Sequence, residues 1–235
     1  MAAFEDSSFS LERFTGLVRL FPLPNLVMFP HVLQPLHVFE PRYREMLQDA
    51  LADDQLIAMA LLSPGWEADY EGRPPISPMA CLGRIISHHQ LEDGSYNVLL
   101  LGIERVRLIR ELEPSKSFRE AEVQVCEDFY PPEAAAQRAA LHRALGKSLL
   151  KALPLVPQAR EQLDQLMAAD LPLGVLADII SYLLDIDLRE KESLLAECDV
   201  HVRAKKLLLH LKATAGDAAA SRQSAVRFPP DFSPN

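Results

Sequence analysis

The sequence has little cysteine, no long apolar run and no surplus of positive charge, and each shortage argues against a class of protein. Its three cysteines, Cys81, Cys126 and Cys198, are odd in number, far apart and without a C-x-x-C pair. That pattern argues against a disulfide framework and against a thiolate zinc site, and it points to a reducing compartment. No stretch approaches the roughly 18 to 20 uninterrupted apolar residues that a membrane span requires. The opening residues, MAAFEDSSFSLERF, carry acidic groups and no apolar segment, so they do not read as a secretory signal. A cytoplasmic protein without a membrane partner is expected. Lys and Arg number 24 against 33 Asp and Glu, a net charge of −9. This disfavours a protein that coats nucleic acid through bulk electrostatics, while leaving room for a local basic strip.

What is present is a chain of 235 residues, 49% hydrophobic and 24% charged, which fits one large domain or two of ordinary size. Phe21 to Tyr43, FPLPNLVMFPHVLQPLHVFEPRY, sets five prolines among apolar residues. That is the texture of interrupted strands feeding a closed β structure. A first strand is expected from Leu17. After Pro41 the period changes, and Tyr43, Met46, Leu47, Ala50 and Leu51 share one helical face. Pro41 falls in the first turn, where its missing N–H costs nothing. The helix is expected to close at Asp53-Asp54. Gln55 to Leu62 reads as a buried strand, and Ser63 to Pro78 as a loop that holds the only tryptophan, Trp66.

Met79 to Leu91 and Tyr96 to Leu101 read as a hairpin around Glu92-Asp93-Gly94-Ser95, with Asp-Gly suited to a type I′ turn. The chain then predicts a strand at 104–108, with Val106 and Leu108 inward and Arg105 and Arg107 outward, and another from Ala121 to Cys126. At Tyr130-Pro131-Pro132 the β pattern stops. Residues 133 to 213 are helical in composition, broken at Pro154, Pro157 and Pro172, with Asp187 and Asp199 placed to cap two helices. The expected fold is α+β. An antiparallel β barrel with one helix fills residues 16–130, and four or five bundled helices fill 131–213. Residues 1–15 and 214–235 are expected to be a flexible and a disordered tail.

Catalytic chemistry is hard to find. Gly146-Lys147-Ser148 suggests a phosphate loop, but Leu141 stands where that motif needs glycine and no strand precedes it. His88 and His89 would point to opposite faces of one strand and cannot hold one metal together. His31, His37, His142, His201 and His210 show no ligand spacing either. No G-x-S-x-G elbow is present. No catalytic residue, metal or cofactor is nominated. Arg84, Arg105, Arg107 and Arg110 could form a basic strip beside Tyr96, or could simply interleave with Glu92, Glu104 and Glu111 to solvate the sheet.

Leu23-Pro24, Val27, Phe29-Pro30, the LHVFEPRY run from Leu36 to Tyr43, Gly83, the Asp93-Gly94 hairpin and the LGIERVR run from Leu101 to Arg107 together resemble the Lon N-terminal, or substrate-binding, domain family. The likeness continues through Leu176-Ala177-Asp178 and Asp199-Val200 to Arg203, and so spans Leu17 to Leu211. It implies a PUA-like six-stranded pseudobarrel with one helix, followed by a helical bundle. Full-length Lon proteases continue into an ATPase module and a Ser-Lys peptidase, and this chain reaches Asn235 shortly after the bundle, so neither activity is expected. The resemblance implies recognition of unfolded or extended polypeptide, as an adaptor in protein quality control beside a separate protease or chaperone. A groove between barrel and bundle is the expected site, with Met28, Phe29, His31, Trp66 and Tyr70 as candidate contacts. An RNA-associated PUA-like module and an enzyme remain as alternatives.

Overall fold

The longest strand organises the sheet. In a computed structural model, which describes residues 14–152, 171–217 and 233–234, β5 (Tyr96–Glu111) pairs along most of its length with β4 (Ile76–Gln90). Its first half also pairs with β2 (Leu33–Val38) and its second half with β6 (Arg119–Val125). β6 joins β1 (Leu17–Leu23), β1 joins β3 (Leu56–Leu62), and β3 returns to β4. Five strands thus close a ring, and β2 hangs on the outer edge of β5. The ladder is mostly antiparallel, as expected, but β1 and β3 run parallel. A parallel pair needs a long crossover, which β2 and α1 (Pro41–Leu51) provide between them.

α1 starts with Pro41 in its first turn and buries Tyr43, Met46, Leu47 and Ala50, the periodic face of the sequence. The hairpin differs in its turn. Gly94 has φ 81° and is the one residue of the turn with positive φ, the Gly94 N–H donates to Leu91 O, and the Leu91 N–H donates to Ser95 O. This is a turn followed by a left-handed glycine rather than a type I′ turn, and Asp93 caps it by accepting from the Ser95 N–H at 2.9 Å.

The proline-rich opening is pinned by a close approach. His31 has φ 65°, its N–H donates to Gly102 O at 2.8 Å, and the Gly102 N–H donates to Val32 O at 2.9 Å. A Cβ on Gly102 would stand 2.1 Å from Phe29 O, so only glycine lets the two backbones meet.

The chain enters the helical half through a 3-10 turn (Pro132–Gln137), followed by α2 (Arg138–Ala152), α3 (Leu173–Leu183), α4 (Leu188–Leu195) and α5 (Val200–Asp217). Gly146-Lys147-Ser148 is ordinary interior of α2. Asp187 caps α4 by accepting from the Arg189 N–H, and Asp199 caps α5 by accepting from the N–H groups of His201 and Val202. Pro154, Pro157 and most of both tails lie outside the described residues. A two-residue strand, β7 (Ser233–Pro234), runs parallel to β2.

Two apolar clusters result. A small one, rich in alanine, includes Val18, Leu20, Ala58, Ala60, Ala80, Leu82, Val106 and Ala121 from the five strands of the ring. The larger one includes Phe21, Met28, Phe29, Leu36 and Val98 from the β half and continues through Leu145, Leu176, Ala204 and Leu207 of the bundle. Barrel and bundle therefore share a core.

Candidate functional site

The expected groove between barrel and bundle is filled by charge. Arg105, on β5, donates from Nη1 at 3.0 Å and from Nη2 to the carboxylate of Asp178 on α3, and from Nε at 2.9 Å to Leu195 O at the end of α4. Arg203, on α5, donates to Asp128 at 2.7 Å and to Glu197 O at 2.7 Å. Its Nε stands 3.2 Å from Asp178, and Arg105 also reaches Asp128 at 3.2 Å. Arg105, Asp178 and Arg203 are buried, with 2%, 0% and 0% of their surfaces exposed. Burial pulls the Arg105 pKa down, but Asp178 and Asp128 outweigh it and leave the value raised. Two arginines and two aspartates neutralise one another here, and Tyr182 OH to Gln34 (3.1 Å) and Ser77 OH to Glu192 (2.6 Å) add further ties. The junction is a weld.

This corrects the basic strip. Arg105 points into the junction, not outward. Arg110 is bound by Glu122 through two hydrogen bonds of 2.7 and 2.6 Å, Arg84 is half-buried, and Tyr96 is buried with its OH accepting from Gln48 at 3.2 Å. Arg107 stays exposed, but no continuous basic face forms around it. Nor can Met28 and Phe29 be surface contacts: they are 1% and 0% exposed, since the Gly102 approach folds their segment inward. His31 keeps an exposed surface at the edge of the junction. Its pKa is nonetheless lowered, first by burial of the ring, with Arg105 and Arg203 adding to the effect against Asp178 and Asp128.

Trp66 and Tyr70 do come together, in the loop after β3, with ring centroids 5.4 Å apart and edge to face. Trp66 lies in a second 3-10 turn, Trp66–Asp69. Tyr70 OH donates to Glu40 at 2.5 Å, and the Arg42 guanidinium is held between the rings of Tyr43 and Tyr70, 4.7 and 4.8 Å from their centroids. Tyr70 borders a cavity of about 240 Å³ whose charged walls are Arg42, Glu71, Arg73, Lys116 and Arg119. Arg42 pairs with Glu40, Arg73 and Arg119 with Glu111, and Lys116 with Asp49 and Glu120, so the basic groups already have partners. Burial, then the hydrogen bond to Glu40, raises the Tyr70 pKa.

A third surface was missed by sequence reasoning. On the outer face of β2 and β5, Leu33 stands opposite Leu101, Pro35 opposite Leu99 and His37 opposite Asn97, with His37 Nδ1 and Asn97 Oδ1 2.9 Å apart. Leu33 is 49% exposed, and Phe39, stacked on His37 at 5.9 Å, is 43% exposed. Ile86, unpaired at the β4 bulge beside the Ser87–Leu99 pair, is also 43% exposed. These exposed apolar groups are adjacent on one sheet face rather than scattered. The signal was in the sequence: in LQPLHVF both alternating faces are apolar, and only one can be inward. Among the described residues no group of His, Cys, Asp or Glu could hold a metal, and no helix is long and apolar enough to cross a membrane.

Comparison with known proteins gives this architecture a family. Residues 18–213 match the family described as the ATP-dependent protease La (LON) substrate-binding domain. Lon protease 2 of Myxococcus xanthus is 28% identical over 189 residues, 80% of this chain and 22% of that protein. The Lon protease of Paraburkholderia phytofirmans is 30% identical over 214 residues, 89% of this chain and 25% of that protein. The chain thus spans only a quarter or less of the length of these two relatives. A Lon N-terminal domain protein from Xanthomonas campestris superposes with TM-score 0.58 at 25% identity, covering 82% of this chain and 97% of that one. The N-terminal domain of a Mycobacterium avium complex Lon protease, at 18% identity, superposes with TM-score 0.63 over 86% of this chain and 98% of its own. On a match that runs from β1 into α5, the chain belongs to the Lon substrate-binding domain family.

Proposed function

We propose that this chain is a recognition module that binds unfolded or extended polypeptide on the outer β2–β5 face, without cutting it, and that it serves as an adaptor for a separate protease or chaperone. The observation that carries this reading is the apolar face of Leu33, Pro35, Leu99, Leu101, Phe39 and Ile86, left open on the side of β2 away from Gln34 and Tyr182 of the bundle. Membership of a substrate-binding family supplies the class of ligand, and the surface supplies the means: half-exposed aliphatic side chains suit any apolar segment and select no particular sequence. The RNA-associated alternative loses its main support, because Arg105 is buried and Arg110 is engaged by Glu122.

The test is the double substitution Leu33→Ser with Leu101→Ser, with binding of fluorescent, reduced and carboxymethylated casein read by anisotropy. Removing two partly exposed leucines from a contact costs about 2 kcal/mol together, or about thirtyfold in Kd. An unchanged Kd in a variant that melts like the parent would refute the placement. Binding of an RNA oligomer that outcompetes casein at low salt would refute the ligand class.

A further inference from the structure

β2 lies outside the ring and joins it only through β5, so its other backbone edge faces away from the barrel. An open edge bearing apolar side chains is a template for another strand. In this protein the template is used: Ser233 and Pro234 pair in parallel with Leu36 and His37 on the side of β2 away from β5. Resting on the polypeptide-recognition reading above, we propose that the β2 edge is a strand-acceptor site for extended polypeptide, and that the chain's own C-terminal segment is a displaceable occupant of it.

Three features make the occupant weak and the site general. The pairing involves two residues on each side, so few backbone hydrogen bonds hold it. The segment FPPDFSPN, from Phe228 to Asn235, carries three prolines, which keep a strand short because each lacks a donor. Pro35 within β2 removes a donor from the acceptor strand itself, which limits runaway edge pairing. Strand addition draws affinity from the main chain and preference from the side chains beside it. Those beside the β2 edge are Leu33, His37 and Phe39, which continue into the open apolar face, so an incoming polypeptide would meet backbone partners and apolar surface together.

The experiment uses the full chain and a full-length variant whose residues 228–235 are replaced by glycine and serine. Two readouts are taken: amide hydrogen exchange of β2, and affinity for reduced and carboxymethylated casein. A tethered segment acts at an effective concentration of order mM, so its loss should tighten casein binding by about two- to tenfold. The β2 amides should exchange faster in the variant, and a free peptide of residues 225–235 should restore their protection and weaken casein binding. Unchanged exchange overturns the tail pairing. Faster exchange with unchanged casein affinity overturns the shared site. Binding of casein by neither protein overturns the recognition reading and the competition with it, while exchange still decides the tail pairing by itself.

Discussion

Asp178 is the fully buried carboxylate at the joint between barrel and bundle. It sits on α3, accepts two hydrogen bonds from Arg105 and lies 3.2 Å from Arg203 Nε. Asp178→Asn keeps the shape and removes the charge, leaving two buried guanidinium groups with only Asp128, itself partly exposed, between them. Removing one partner of a buried pair costs about 3–5 kcal/mol, because the orphaned charge stays desolvated. For a chain of this size each kcal/mol lowers Tm by about 2–4 °C, so a fall of about 6–20 °C is expected in thermal unfolding followed by circular dichroism. Replacing Arg105, Asp128, Asp178 and Arg203 together by Met, Asn, Leu and Met should recover part of the loss, since no unpaired charge of this group then remains inside. A fall of less than about 3 °C for Asp178→Asn would show that the charges are not desolvated as described, and would refute the reasoning.

Gly102→Ala should lower the urea midpoint by the equivalent of about 2 kcal/mol or more, because the added methyl would sit 2.1 Å from Phe29 O and push the opening segment off β5. Partial burial of Asp49 tends to raise its pKa, but hydrogen bonds from Lys116 and Arg19 outweigh this and hold it below the usual 3.8. Its contribution is therefore present above about pH 4 and lost as pH falls through the lowered folded value, so the stability gap between parent and Asp49→Asn should vanish in strong acid in a pH series of urea melts. Cys126 and Cys198 are near enough to influence each other electrostatically where β6 leaves the barrel and α4 gives way to α5, while Cys81 is fully buried. Treatment with an exchanging disulfide should cross-link the first two and spare Cys81 in a peptide map; labelling of Cys81 in the folded protein would contradict the packing.

Much of this fold could be read from pattern. The change from proline-punctuated strand to helix at Glu40-Pro41, the β3 run, the hairpin and the caps at Asp187 and Asp199 all follow from local chemistry, and local chemistry is what a sequence displays. The errors share another cause. Arg105 alternates with Val106 as an outward residue of a two-faced strand should, yet at this point of β5 both sides are covered, one by the ring and one by the bundle. Alternation reports that the faces differ, not that one is wet. Its partners Asp178 and Leu195 O lie 73 and 90 positions away, beyond any local signal. Met28 and Phe29 failed for a similar reason, since the glycine that draws them inward is Gly102.

The weld and the open face explain each other. Barrel and bundle share an apolar core on the inner side of the sheet, while Leu33 and Phe39 on the outer side stay out of it. The junction adds paired charges to the shared apolar core, and their stability comes from matching geometry while removal of one partner is costly. Such a joint also fixes β2, since Gln34 on the inner face accepts from Tyr182 of α3 while Leu33 and Pro35 on the outer face remain free of the bundle. A strand held rigidly on one face and along one edge presents its other face and other edge in a constant arrangement, so the proposed binding of extended chains would carry little ordering cost on its own side. Loosening the weld should accordingly weaken casein binding without touching the apolar face, and Asp178→Asn, assayed well below its lowered Tm, separates the two.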